Sequence, residues 1–319
     1  MSKKDVLQFV SSDFDVFTRK AVQDAVQETD VVIYKPIVPI DQSDLEFLIP
    51  TDFDTYVDPD IKLYVRGKFT KADGTDLNET DHTVGTNNFL HSLLIQCTIA
   101  LNGVDITQSG VLYNYRAYLE TISSYGNDAA SSHLTNSYWH KDAGDMPPCN
   151  PTKADSTNTG FIERWKKQKQ SKKFEMYGRI HSDPCNVPKF LLPGVSLQIK
   201  FKNAKPSFYL MNTKADSTTI FKFIDAKLYV RRIKAHPSIL LAHDDTLKTD
   251  LAYCDLTTVT LKTFTFSSGV SSLSIDQAVT DHLPKRLLFA MVDNSDFLGA
   301  ITTTSTDFRI SVSLHTRCL

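Results

Sequence analysis

Apolar and polar positions alternate with period two through most of this chain, the pattern of half-buried β-strands. Ile61, Leu63, Val65, Gly67 and Phe69 alternate through one such run, which ends in the turn Asp73-Gly74. The stretch "CTIALNGVDIT" alternates through Cys97, Ile99 and Leu101, breaks at Asn102-Gly103, and resumes at Val104 and Ile106. Asn-Gly suits a type I′ turn, where both central residues need φ > 0, so the stretch predicts a hairpin with Ile99, Leu101, Val104 and Ile106 on buried faces. The period then changes. Leu112, Tyr115, Leu119 and Ile122 recur at helical spacing and predict one buried helix face.

Other segments extend this pattern. "VVIYKPIVPI" carries two prolines and reads as an edge or bent strand. "LEFLIP", "KFEMYGRIH", "VSLQIKFKN" and "TIFKFIDAKLYVRRIKA" read as strands, as do "TTVTLKTFTFSSG" and "KRLLFAMVD" near the end. Residues 16–28 predict a thin amphipathic helix, a docking arm with Val22, Ala25 and Val26 on its stripe. "PSILLAHDDTLKT" reads as a short helical linker. Residues 127–173 are polar and read as one long loop, a kind that is usually functional or disordered. Many strands, few helices and no βαβ alternation predict an all-β sandwich or jelly roll. "LYVR" occurs at 63–66 and at 228–231, an echo too short to establish a repeat.

Composition narrows the picture little. Of the 319 residues 41% are hydrophobic and 23% charged, the ordinary range for a globular protein, and the length suggests two domains. A net charge of −2 gives no reason to expect a nucleic-acid-coating protein. Five cysteines without a CxxC pair suggest free thiols in a reducing compartment. The N-terminus lacks the apolar run of a secretory signal, and no run approaches the ~18 apolar residues of a membrane span. The sequon Asn78-Glu79-Thr80 is therefore expected to stay unglycosylated.

Candidate chemistry is sparse. There is no nucleophile elbow, Walker loop or dinucleotide fingerprint. Asp52, Asp54, Asp58 and Asp60 cluster, but Val57 and Leu63 stand where an EF-hand needs glycine and glutamate, so a solvated turn is expected. His181 and Cys185 supply two ligands where zinc takes four. The run "RWKKQKQSKK" offers Arg164, Trp165, Lys166, Lys167, Lys169, Lys172 and Lys173 as a possible polyanion contact, weak and non-specific, on a mobile surface loop. A run this short is also compatible with a nuclear address. No catalytic, metal or cofactor residue is expected.

Several colinear blocks carry a family resemblance. "VGTNNFLHSLLIQCTIALNGVDIT" followed by "YNYRAYLETISSYG", then "SHLTNSYWHKD", "YGRIHSD", "FLLPGVSLQIKF", "DAKLYVRRIKAHPSILLAH" and "LPKRLLFAMVDN", resemble double jelly-roll major capsid proteins of the Polinton/Maverick, adintovirus-like type integrated in animal genomes. The resemblance spans residues 30 to 299 and implies a structural protein, not an enzyme. It implies an N-terminal arm over 1–29, a first jelly roll over 30–236 with a loop at 127–173 rising as a tower, and a linker with a partial second roll over 237–319. The implied assembly is a homotrimer forming pseudo-hexameric capsomers, with a penton protein among its partners and no membrane. The tail "AITTTSTDFRISVSLHTRCL" departs from the family, so a truncated or endogenised copy is expected. The implied location is the virion where one assembles, otherwise the nucleus or cytoplasm. A single jelly-roll module binding carbohydrate or nucleic acid through Trp139, Trp165 and the basic run is the alternative.

Overall fold

The alternating runs become paired strands in the computed structural model, which describes residues 25–40, 44–107, 112–143, 149–153, 156–214, 218–270, 274–275, 284–299 and 301–302. The strands are β1 (Val26–Tyr34), β2 (Asp44–Ile49), β3 (Thr55–Val57), β4 (Lys62–Lys71), β5 (Thr83–Gly85), β6 (Leu94–Leu101), β7 (Val104–Asp105), β8 (Phe174–Arg179), β9 (Leu197–Asn203), β10 (Leu210–Asn212) and β11 (Thr219–Ala235). One antiparallel sheet runs β1-β11-β4-β8, with β3 also on β11, and the facing sheet runs β2-β9-β6-β7. The small pair β10-β5 stands apart.

Without β3, β5 and β10, the remaining strands nest: first with last, second with seventh, third with sixth, fourth with fifth. That nesting is a jelly roll, so the protein is all-β with one complete roll. Phe47, Phe69, Phe89, Phe201 and Phe221 alternate inward from both sheets and from the turn before β6 to fill the core. Phe69 and Phe221 each pack against Phe89, with ring centroids 5.4 Å away in both cases. Gly67 in β4 makes room for this cluster, since a Cβ there would lie 2.2 Å from Cζ of Phe221.

The Asn102-Gly103 hairpin forms between β6 and β7, and both residues have positive φ, 48° and 79°. Ile99 is buried and Leu101 and Ile106 are half-buried, but Val104 is 65% exposed. β7 is a two-residue edge strand, and Val104 projects from its outer side. Helix α1 (Tyr113–Ser124) forms where expected and buries Tyr115 of the predicted stripe, with Leu112 and Leu119 half-buried, but it also buries Tyr113, Asn114, Ala117, Tyr118 and Thr121 and leaves Ile122 exposed. Its buried face is therefore broader than the predicted stripe and shifted away from Ile122. Tyrosines with their ring partners, not the aliphatic residues, set its orientation: Tyr118 packs on Trp139 at 5.1 Å.

Three other expectations change. Val26, Gln27 and Glu28, placed at the end of a predicted helix, begin β1, Ala25 before them is a bend, and residues 16–24 lie outside the described residues. The expected loop at 127–173 contains helical turns at Asn127–Ser131 and His133–Ser137 and helix α2 (Thr159–Gln168). "TTVTLKTFTFSSG" and "KRLLFAMVD" form no named strand among the described residues; they lie extended after helix α3 (Pro237–Leu247). Strand propensity needs a partner backbone, and among the described residues these segments show only an isolated bridge at Met291. The two "LYVR" stretches lie antiparallel in neighbouring strands of one roll, Leu63 opposite Leu228.

Ile99→Asp should abolish soluble folded protein, since it places an unpaired charge in the core. Val104→Asp should change the urea-unfolding free energy by no more than about 0.5 kcal/mol. Equal effects from the two would contradict this assignment of faces.

Candidate functional site

The charged groups that the sequence offers as chemistry are mostly tied into ion pairs. Arg231 and Arg232 are consecutive in β11 and so point to opposite faces. Arg231 donates to Asp58 Oδ2 at 2.7 Å on the outer side. Arg232 is buried and donates to Asp52 Oδ2 at 2.8 Å, to the Tyr34 hydroxyl at 2.8 Å and to the Pro50 carbonyl at 3.0 Å. Hydrogen bonds from Thr55 and the Asp54 amide, with Arg232 beside them, outweigh burial and hold the Asp52 carboxyl below its ordinary value. Asp60 takes Lys62 at 2.8 Å and Arg179 at 3.4 Å. The aspartate cluster therefore fastens strands together, and among the described residues no group of three or more His, Cys, Asp or Glu is placed to hold a metal ion.

His181 and Cys185 belong to a second, buried network. His181 Nδ1 lies 2.8 Å from Glu120 Oε2, and Arg116 Nε donates to Glu120 Oε1 at 2.8 Å. Arg116 Nη2 reaches Asp183 Oδ1 at 2.5 Å, and Asp183 also accepts the Val259 amide at 3.2 Å. Burial raises the Glu120 carboxyl, but His181 and Arg116 reverse this, and the net shift is downward. Burial pushes the Cys185 thiol up to about 12, so it is held protonated and unreactive. The network joins α1 to the loop after β8 and to the extended segment after α3. Only the Arg116–Glu120 pair, one helical turn apart on α1, is local; Asp183, His181 and Val259 join it from distant parts of the chain.

The basic run is expected on a loop, but its first half lies on helix α2, and only Lys169, Lys172 and Lys173 follow in the turn and coil after it. Asn158 caps α2 by accepting the Phe161 amide at 3.0 Å. Arg164, one of the proposed polyanion contacts, is fully buried. It donates to Asp142 Oδ1 at 2.7 Å, to the Gly85 carbonyl at 2.8 Å and to the His140 carbonyl. Gln168, one turn on, accepts the Gly85 amide at 3.0 Å, so α2 grips both polar groups of one β5 residue. Trp165 is buried against Val84, Phe161 and Met211, and Trp139 is buried as well, so neither indole is presented as a stacking platform. Alternation of buried Phe161, Arg164, Trp165 and Gln168 is a helical stripe whose arginine and glutamine read as surface residues in the sequence.

Lys166, Lys167, Lys172 and Lys173 are exposed and Lys169 is half-buried. Lys166 pairs with Glu163 at 2.7 Å, and Lys169 Nζ lies 4.8 Å from the Trp165 ring centroid. Nearby carboxylates are engaged too, with Asp76 on Lys68 at 2.6 Å. Lys167 Nζ is 2.9 Å from His140 Nε2. Burial, then the charges of Lys167 and Arg164, lower the His140 imidazole to about 4.

Two surfaces expose aromatic or apolar side chains. The outer face of the β1-β11-β4-β8 sheet shows Tyr64, Tyr177 and Tyr229, with rings of Tyr64 and Tyr177 at 6.2 Å and 5.6 Å from Tyr229, beside exposed Val31 and Ile33. The chain after α3 exposes Leu251, Tyr253, Phe264, Phe266 and Phe289. It is held to the roll by Leu261 and Val292 against the core and by Phe297, stacked on Tyr115 at 5.4 Å. No helix among the described residues is long and apolar enough to cross a membrane.

No known family profile matches the chain, and neither does any curated protein sequence. Similar solved structures include a Sputnik virophage chain from cryo-EM, at 10% identity and TM-score 0.41, covering 71% of this chain and 52% of that one. The Faustovirus major capsid protein matches at 10% identity and TM-score 0.43, covering 78% and 60%. The mavirus major capsid protein matches at 11% identity and TM-score 0.36, covering 72% and 50%. The chain thus spans between half and three-fifths of the length of these structures.

Arg164→Ala should lower stability by about 3–5 kcal/mol, because it leaves the Asp142 carboxylate buried without its partner; urea unfolding measures the loss. His140 gives a pH dependence. Its folded pKa, about 4, lies below the ordinary 6.5, so the unfolded chain binds the extra proton between these values. Its contribution is present above 6.5 and is lost as pH falls through that window. His140→Asn should flatten the decline of the urea midpoint over this window, and an unchanged slope would contradict it.

Proposed function

We propose that the chain is a structural subunit of the viral major-capsid type and carries no catalytic centre. The observation that carries this reading is the jelly roll with exposed apolar and aromatic side chains on two surfaces, the kind of patch that marks an interaction site. The colinear sequence blocks described above support it. In this reading the protein belongs to the Polinton/Maverick type and acts as a homotrimer of pseudo-hexameric outline, beside a penton protein in a virion. Residues 30–236 are the first roll, 237–319 are the linker and part of a second roll, and the segment at 127–173 forms the outward tower. The exposed lysines of the basic run contact polyanions weakly.

The purified chain should self-associate on size exclusion with light scattering, and electron microscopy should show trimeric particles. A monodisperse monomer that binds a carbohydrate or a nucleic acid would favour the single-roll binding module instead.

A further inference from the structure

We propose that His91 and His181 form an acid-sensitive latch that holds the loop after β8, residues 180–186, and through it the chain beyond α3, on the roll. The latch lies inside one subunit and does not depend on how subunits assemble.

Two imidazoles meet where the helical turn Phe89–Ser92 faces this loop. His91 and His181 are both buried, and their rings stand edge to face with centroids 4.8 Å apart. Gly178 in β8 leaves room for His91, since a Cβ there would lie 3.3 Å from its Nε2. The Tyr113 hydroxyl joins the two residues: it accepts the His181 backbone amide at 3.3 Å and lies 3.0 Å from His91 Nδ1. The hydroxyl has its own hydrogen to donate, and His91 Nδ1 is the acceptor beside it. His91 is therefore neutral in this arrangement, with its proton on Nε2. His181 Nδ1 meets the Glu120 carboxylate at 2.8 Å.

A second proton on His91 meets no free carboxylate. Among the described residues its one side-chain partner is Tyr113, which would lose its acceptor. The titratable and charged groups around the pair are Tyr113, Arg116 and Glu120 from α1, Cys97 from β6, Arg179 from β8, and Asp183 and Cys185 from the loop. The turn His133–Ser137 and residues 206–209 bring Ser137 and Tyr209 to the same region, while His133 packs on Tyr125. Glu120 is taken by His181 and Arg116, Asp183 by Arg116, and Arg179 by Asp60. Burial keeps both thiols protonated, so neither supplies a negative charge. Burial, then His181, lower the His91 imidazole well below its ordinary 6.5. Its contribution is present above 6.5 and is lost as the pH falls below that value, because an opened latch returns the ring to water, where it binds the proton more readily.

The loop is the element that such a proton moves. His181 and Asp183 are two residues apart on it, and Asp183 holds both Arg116 of α1 and the Val259 amide of the chain beyond α3. Swinging the loop away from His91 separates the two rings and gives up those bonds together. Cys185, buried near the end of the loop, then reaches solvent. The chain so released carries Leu261, which packs on the core, and exposed Phe264 and Phe266. Acid therefore increases the apolar surface that the chain beyond α3 offers.

The test uses the full chain and its own thiols. Cys254 is exposed and serves as the internal reference for buried Cys185. Labelling with a pyridyl disulfide, read by mass spectrometry, gives the ratio of the two rates. From a pH of about 7.5 to about 5.5 the ratio of Cys185 to Cys254 should rise about tenfold, the increase in open population that one ordinary imidazole gives about a unit below its pKa. Hydrogen exchange over residues 256–262 should lose protection in the same range, while β9 keeps its own. His140→Asn, which removes a depressed imidazole elsewhere in the protein, should leave the rise in place. His91→Asn, whose amide can still accept from the Tyr113 hydroxyl, should abolish it, and His91→Gln replaces that variant if it does not fold. A ratio that stays constant with pH in the unaltered chain, or a rise that survives the loss of His91, overturns the latch. So does an equal loss of protection in β9, which would mean that the whole roll unfolds.

Discussion

Closure of the roll depends on strand β11. Its seventeen residues pair with β1 along one edge and with β4 and then β3 along the other, so the two ends of the roll's sequence meet in it. Three strands depend on a single backbone. A bulge between Phe223 and Asp225 interrupts the register within the β4 pairing and bends the strand. Arg231 and Arg232 then secure the far end on both faces, through Asp58 outside and Asp52 inside. An arginine in a wall this close to the core is tolerated because each of its donors meets a fixed acceptor.

The same economy governs the other buried charges. Arg164 is held by a carboxylate and two carbonyls, and Arg116 by two carboxylates. These groups join segments that strand pairing does not reach: α2 to β5, and α1 to the loop after β8 and the extended chain beyond α3. Ionisable groups spent in this way are committed to geometry. Cys185, held protonated by burial, and Glu120, ionised between a histidine and an arginine, illustrate it from opposite directions.

With its charges occupied, the molecule's capacity for interaction lies in surface shape and composition. The two sheets differ sharply. One shows matched polar rows, the other tyrosines beside basic side chains. Beyond α3 the described chain keeps apolar side chains in water and is fastened at intervals, among them by Val259 on Asp183, Leu261 and Val292 on the core, Phe297 on Tyr115 and the Asn212 amide on the Ile301 carbonyl. Strand-forming residues without a partner strand are what an intermolecular contact would be expected to complete.

Period-two alternation identified the strands of the roll because one face of each is buried, and burial imposes that period directly on residue type. Asn102-Gly103 announced its hairpin because few other pairs accept positive φ at both positions. The sequence could not say which side of α1 turns inward, since tyrosines qualify for either side and only the partners Trp139 and Phe208 decide. It read Arg164 as surface, because a charged residue enters a core only when distant groups such as Gly85 and Asp142 surround it. It read Val104 as buried, because alternation does not reveal that a strand is two residues long and lies at an edge. Tyr64, Tyr177 and Tyr229 were in plain view in three places, yet they became a surface only when the nested pairing set β8, β4 and β11 side by side. Local periodicity records whether a residue is buried. Which residues meet depends on contacts between positions far apart in the chain, and those are decided by the closed roll.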